Sequence, residues 1–105
     1  MTYRVQFAPE ALEQLATLEA YIAVAGVPET AAQYVDAIVD FCVSLATFPE
    51  RGVSRADLLP GLRITHYRKR AVIAFRVTDD IVSVLGVYYG GQDYETRLLD
   101  EQDPH

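Results

Sequence analysis

At 105 residues, half of them apolar and 23% charged, the chain has the composition of one ordinary globular domain, which excludes a disordered or fibrous protein and needs no disulfide or metal to fold. A net charge of −6 argues against broad, nonspecific attraction to nucleic acid or anionic lipid, and no apolar run approaches membrane-spanning length. The single cysteine, Cys42, cannot form an internal disulfide, and no Cys and His spacing suits a metal, so neither metal nor other cofactor is expected.

The chain opens Met1-Thr2-Tyr3-Arg4-Val5-Gln6-Phe7 without the apolar core of a secretory leader, and a cytoplasmic location is expected. Tyr3, Val5 and Phe7 alternate with Arg4 and Gln6, the period of a half-buried strand. Pro9 then suits the first position of a helix, with Glu10 and Glu13 where the helix dipole favours acids. Ala11, Leu12, Leu15, Leu18 and Ile22 recur at helical spacing, which predicts a helix over 9–24 with Glu13, Gln14, Thr17 and Glu19 facing solvent. Gly26 and Pro28 break it, and Pro28 with Glu29 starts a second helix to about Phe48 on the stripe Ala31, Val35, Ile38, Cys42, Leu45. Tyr34, Phe41 and Phe48 widen that apolar face, Tyr21 and Tyr34 face the neighbouring helix, and Cys42 is a buried, inert thiol.

Pro49 and Gly52 end the helical region, and 49–61 reads as a surface connection. From Gly61 the period becomes two. Leu62 and Ile64, with His66 in the same phase, alternate with Arg63, Thr65 and Tyr67, and Arg68-Lys69-Arg70 forms a turn. Ala71, Ile73, Phe75 and Val77 alternate with Val72, Ala74 and Arg76, and Asp79-Asp80 joins them to a last, most apolar strand over 81–89. That loop sets Phe75 opposite Val84 and Ile73 opposite Gly86, with Ile73, Phe75, Val77, Val82 and Val84 turned to the helices. The polar, acidic residues 90–105 read as a tail. The fold class is therefore α+β, in the order β-α-α-β-β-β, with a helical hairpin packed on a small, mainly antiparallel sheet.

Charge is unevenly spread. Residues 51–76 hold Arg51, Arg55, Arg63, Arg68, Lys69, Arg70 and Arg76 against one acid, Asp57. A basic strip on an acidic body suits one acidic partner better than a general polyanion.

Several short motifs fall in order on these elements: Ala8-Pro9-Glu10-Ala11, Tyr21-Ile22, Phe48-Pro49-Glu50-Arg51-Gly52, Pro60-Gly61-Leu62-Arg63, Phe75-Arg76-Val77-Thr78-Asp79-Asp80, and Val87-Tyr88-Tyr89-Gly90-Gly91-Gln92-Asp93-Tyr94. With them the chain resembles the RelE/ParE family of toxins from type II toxin–antitoxin systems, and leans to the ParE-like branch. The resemblance implies one toxin domain over 1–98, an acidic C-terminal tail over 99–105, and a cognate antitoxin as partner in a hetero-oligomer. It also implies a role in bacterial stress response or plasmid stabilisation. ParE-like members are not nucleases and poison DNA gyrase. RelE-like members cut mRNA on the ribosome, and an inactive member would only bind an antitoxin.

Cleaving RNA through its 2′-hydroxyl needs a base, an acid and cations for the charged transition state. The catalytic candidates are Arg63, at the family's recurrent arginine, Arg76, and Tyr94, which matches a functional tyrosine. His66 reads as a hydrogen-bonded strand histidine and Tyr88 as core. Gln92 stands where RelE-like nucleases carry a cation, with Asp93 and Glu95 beside it, so the nuclease set is incomplete and a non-enzymatic, gyrase-directed toxin is expected. Arg51, Arg63 and Arg76 are the candidate partner-binding residues, with Arg76 either a solvated cation or part of one patch with Arg63.

Overall fold

The computed structural model describes residues 3–90 and 93–102. The chain runs β1 (Arg4–Phe7), α1 (Pro9–Ala25), α2 (Pro28–Val43), a 3-10 turn (Ser44–Ala46), β2 (Val53–Ser54), β3 (Leu62–Tyr67), β4 (Ala71–Thr78), β5 (Ile81–Tyr89) and α3 (Tyr94–Gln102). The five strands form one sheet in the order β1-β5-β4-β3-β2, with β1 parallel to β5 and every other pairing antiparallel.

Both long helices carry proline in their first turn, where the missing N–H has no helical partner to lose. Their buried positions, Ala11, Leu15 and Leu18 on α1 and Ala31, Val35, Ile38 and Cys42 on α2, follow the expected stripes. All of them but Ala31 close on Ile73, Phe75, Val82, Val84 and Val87 to form the main core. Leu12 and Tyr21 depart from expectation: they are 54% and 65% exposed, because α1 lies on α2 and β5 along a narrower stripe than its apolar sequence allows. The α2 helix also stops at Val43, short of Phe48, where the Ser44 hydroxyl turns back on the Phe41 carbonyl and the chain tightens.

The β4–β5 hairpin turns at Asp79-Asp80 and pairs Phe75 with Val84, as the loop length requires. Ile73, however, faces Val87, not Gly86, since a bulge at Leu85 puts one extra residue on β5. The bulge reverses the alternation, so Val87 and Tyr89 turn to the helices and Tyr88 to the other face. Beyond the end of β1, the Val87 N–H donates to Gln14 Oε1 at 2.7 Å. Gln14 thus lies against the sheet margin where solvent was expected.

The opposite face of the sheet is also covered. Leu62, Ile64, Ala74, Tyr88 and Leu98 form a second core, flanked by Leu58, Leu59, Val72, Leu85 and Tyr94. Residues 49–61, expected as a plain connection, supply β2 and this cover. Residues 90–105, expected as a tail, supply α3, and the expected boundary at residue 98 falls inside that helix, on a fully buried Leu98. The sparse apolar positions of 94–102 hid the helix, because one anchoring leucine gives no visible stripe.

Candidate functional site

Arg63 sits at the start of β3, directly opposite Phe75, and therefore projects on the helix side of the sheet. The Pro60-Gly61 turn sets its position, with Gly61 in the left-handed region (φ 77°). Its guanidinium donates to three backbone carbonyls: Nε to Arg51 at 3.2 Å, Nη2 to Glu50 at 2.6 Å and Nη2 to Gly52 at 3.1 Å. These bonds fasten the 50–52 loop to β3. Gly52 has φ 82°, and a Cβ there would run into the Ile64 carbonyl, so the loop needs glycine on both counts.

A groove of about 380 Å³ opens beside this clamp, lined by Tyr3, Pro49, Glu50, Ser54, Gly61, Arg63 and Val77. A second of about 420 Å³ follows the chain from Thr47 to Arg51. The Arg51 guanidinium lies over the rings of Phe41 (5.0 Å) and Phe48 (5.2 Å), and Phe48 is 55% exposed. Arg51 and Arg63 therefore meet at one loop. Arg76 does not join them: it pairs in register with Leu62, is exposed on the α3 face, and lies beyond Gly61. Of the two readings of Arg76, the solvated cation fits and the shared patch with Arg63 does not, because the two residues occupy opposite phases of paired strands.

On the α3 side the organising residue is Arg55, which was not singled out from sequence. Its Nε and Nη2 donate to the Asp57 carboxylate (both 3.0 Å), Nη2 also to Glu95 (2.9 Å), and Nη1 to the Tyr94 hydroxyl (2.8 Å). Asp57 and Glu95 hold the guanidinium further above its ordinary range, and Arg55 in turn lowers the Asp57 carboxyl. The Arg-x-Asp spacing was visible, but nothing in sequence tied Arg55 to residues 40 positions away. Asp93 caps α3 through the Thr96 hydroxyl (2.8 Å) and Thr96 N–H (3.2 Å), which lower its own carboxyl. Tyr94 packs near Tyr88 (ring centroids 6.3 Å apart), and Arg97 lies over Tyr88.

Residues 5–94 match the family model described as the ParE toxin of the type II toxin–antitoxin system parDE. The chain belongs to the ParE toxin family. Its fold is that of solved relatives. A chain of the chromosomal ParDE system from P. aeruginosa aligns with TM-score 0.73 and 21% identity over 84% of this chain and 96% of that one. A chain of the RelBE2 toxin–antitoxin complex from Mycobacterium tuberculosis gives 0.61 and 22% over 86% and 100%. A free mutant of E. coli RelE gives 0.67 and 16% over 99% and 100%. At such identities the likeness is one of fold. No curated protein matches the sequence.

In this ParE-family toxin the titratable candidates are spread over both faces of the sheet. Arg63 stands on the helix side, whereas His66, opposite Val72 and exposed, shares the α3 face with Arg76. Tyr88 is only 1% exposed, as a core tyrosine should be. Tyr94 gives its oxygen to Arg55. Gln92 lies outside the described residues. Among the described residues no helix is long and apolar enough to cross a membrane.

Proposed function

We propose that this toxin acts by binding a protein target, DNA gyrase, without cutting RNA, and that a cognate antitoxin neutralises it in a cytoplasmic hetero-oligomer. The single observation that carries the proposal is the state of Arg63. A ribonuclease needs that guanidinium free to meet a phosphate gaining charge in the transition state, and losing one well-placed donor typically costs about a hundredfold or more in rate. Here Arg63 donates to three loop carbonyls, and the arginine nearest Tyr94 is held by two carboxylates. A protein-binding toxin tolerates both arrangements, since each shapes a surface and leaves no reacting group to be freed.

For the antitoxin, the proposed contact is the end of the sheet around Gly61. Arg51 and Arg63 border the grooves on the helix side and Arg76 stands past Gly61 on the other, so an acidic segment crossing that end meets all three. Such pairs chiefly steer and specify docking. Induced expression with paired readouts tests the activity: plasmid supercoiling falls while ribosome-bound mRNA stays intact, and Tyr94→Phe keeps the toxicity. Codon-specific cuts in mRNA, lost in Tyr94→Phe, would replace the proposal with a ribosome-dependent ribonuclease. Unchanged supercoiling and unchanged mRNA would leave a member that only binds its antitoxin.

A further inference from the structure

The β3–β4 hairpin turns on three residues, Arg68 to Arg70, because Tyr67 pairs with Ala71, and the first two of them, Arg68 and Lys69, lie in the left-handed region (φ 56° and 71°). Two successive left-handed positions at the centre of a turn are best served by Asn and Gly. Side chains with a full Cβ and a long stem adopt it at a conformational cost. The other hairpin shows the ordinary solution, placing Asp79, a residue type that tolerates this region, at φ 55°. Arg68-Lys69 is thus a choice against local backbone preference.

Arg68, Lys69 and Arg70 are exposed, and among the described residues none of them pairs with an acid. The other arginines are mostly engaged: Arg4 near Asp80, Arg51 on two rings, Arg55 with two carboxylates, Arg63 with three carbonyls. The Arg68 guanidinium lies 5.5 Å from the centre of the Tyr67 ring, which gives it a preferred direction. The Tyr67 ring is held in turn by Tyr34 (6.2 Å) and Phe41 (5.3 Å). Three free cations, one of them stacked, therefore project from a rigid aromatic base. They lie five residues along β3 from Arg63, roughly 17 Å away.

We propose that the Arg68–Lys69–Arg70 turn is a docking point for an acidic peptide segment of a partner protein, separate from the groove at Arg63 and independent of the target's identity. Carboxylates suit it better than a nucleic acid for two reasons. The chain's net charge is −6, so a long polyanion that reaches the turn also meets an acidic body within a Debye length, whereas a short acidic segment does not. The Tyr67 ring is already packed by Tyr34, Phe41 and Arg68, which leaves no open aromatic face for a base.

Amide NMR titrations of the intact protein with a hexaglutamate peptide, and separately with a twelve-nucleotide oligothymidylate, test the proposal. Hexaglutamate is expected to give saturable shifts centred on residues 67–71 and to bind more tightly than the oligonucleotide. The double variant Arg68→Asn, Lys69→Gly restores the preferred turn, so it should melt higher, by about 4–8 °C if it gains near 1 kcal/mol, yet bind hexaglutamate about tenfold more weakly. Arg68→Glu with Arg70→Glu should abolish binding without a change of fold. Shifts at Arg63 or Arg76 with none over residues 67–71, undiminished binding at the turn by the Asn-Gly variant, a lower melting temperature for it, or tighter binding of the oligonucleotide would each overturn the assignment.

Discussion

Arg63 shows how one side chain can be read correctly by position and still be assigned the wrong surroundings. Sequence located it after Pro60-Gly61-Leu62 and marked it as special, but alternation alone put it on a solvent-facing phase, because a sheet covered on one face was assumed. With both faces covered, the Leu62 and Ile64 phase serves the second core and the Arg63 phase turns to the helix side. Its planar fork explains why arginine is needed: replacing it by alanine frees three carbonyls and should cost about 1–2 kcal/mol, measured by denaturant unfolding. Arg63→Lys should recover little of that, since a lysine ammonium does not reproduce the fork. Full recovery by lysine would show that charge, not geometry, holds the loop.

Burial acts on Cys42 in a simpler way. It pushes the thiol up to about 12, so the folded protein should resist iodoacetamide at pH 8 and become alkylated only on unfolding. At the cap of α3 the sign is opposite. Thr96 lowers Asp93 below its ordinary 3.8, so the stabilisation is present above that value and is lost as pH falls through the lower, folded one. The Thr96 amide shift should therefore titrate with a midpoint below 3.8, and a midpoint at or above it would contradict the cap. Cys42 and its role were legible from sequence, whereas Asp93 fell among residues read as a tail, so its capping role was not.

Among the elements, α1, α2 and the three long strands were legible because each repeats a clear period over many residues. The pairing of Phe75 with Val84 followed from a two-residue loop. What escaped was whatever depended on a single residue or a distant partner: the bulge at Leu85, the two-residue strand β2, and α3 with its one buried leucine. The bulge has a consequence on α1. It carries β5 past the end of β1, where the Val87 N–H donates to Gln14. Gln14→Leu keeps the side chain's size and helical preference but removes the acceptor, so it should destabilise the fold by about 1–2 kcal/mol. Val87 amide exchange should accelerate in the same variant. A leucine variant as stable as the parent, with Val87 still protected, would show that this bond contributes nothing.

For the whole molecule, the two faces of the sheet carry different duties. On one side the helical hairpin and the Arg63 clamp shape grooves at the end of the sheet, while on the other α3 and Arg55 close over a second core. On the first side Arg63 is held by three loop carbonyls, and on the second Arg55 is held by Asp57 and Glu95. Family membership was legible from ordered motifs, whereas the division of Arg63 from Arg76 required the sheet register. The most direct measurement sets purified toxin against purified DNA gyrase and, in parallel, against ribosomes programmed with a defined mRNA. Supercoiling should fall as toxin is added and recover with cognate antitoxin, while the mRNA remains full length. Cleaved mRNA with undiminished supercoiling would contradict the account.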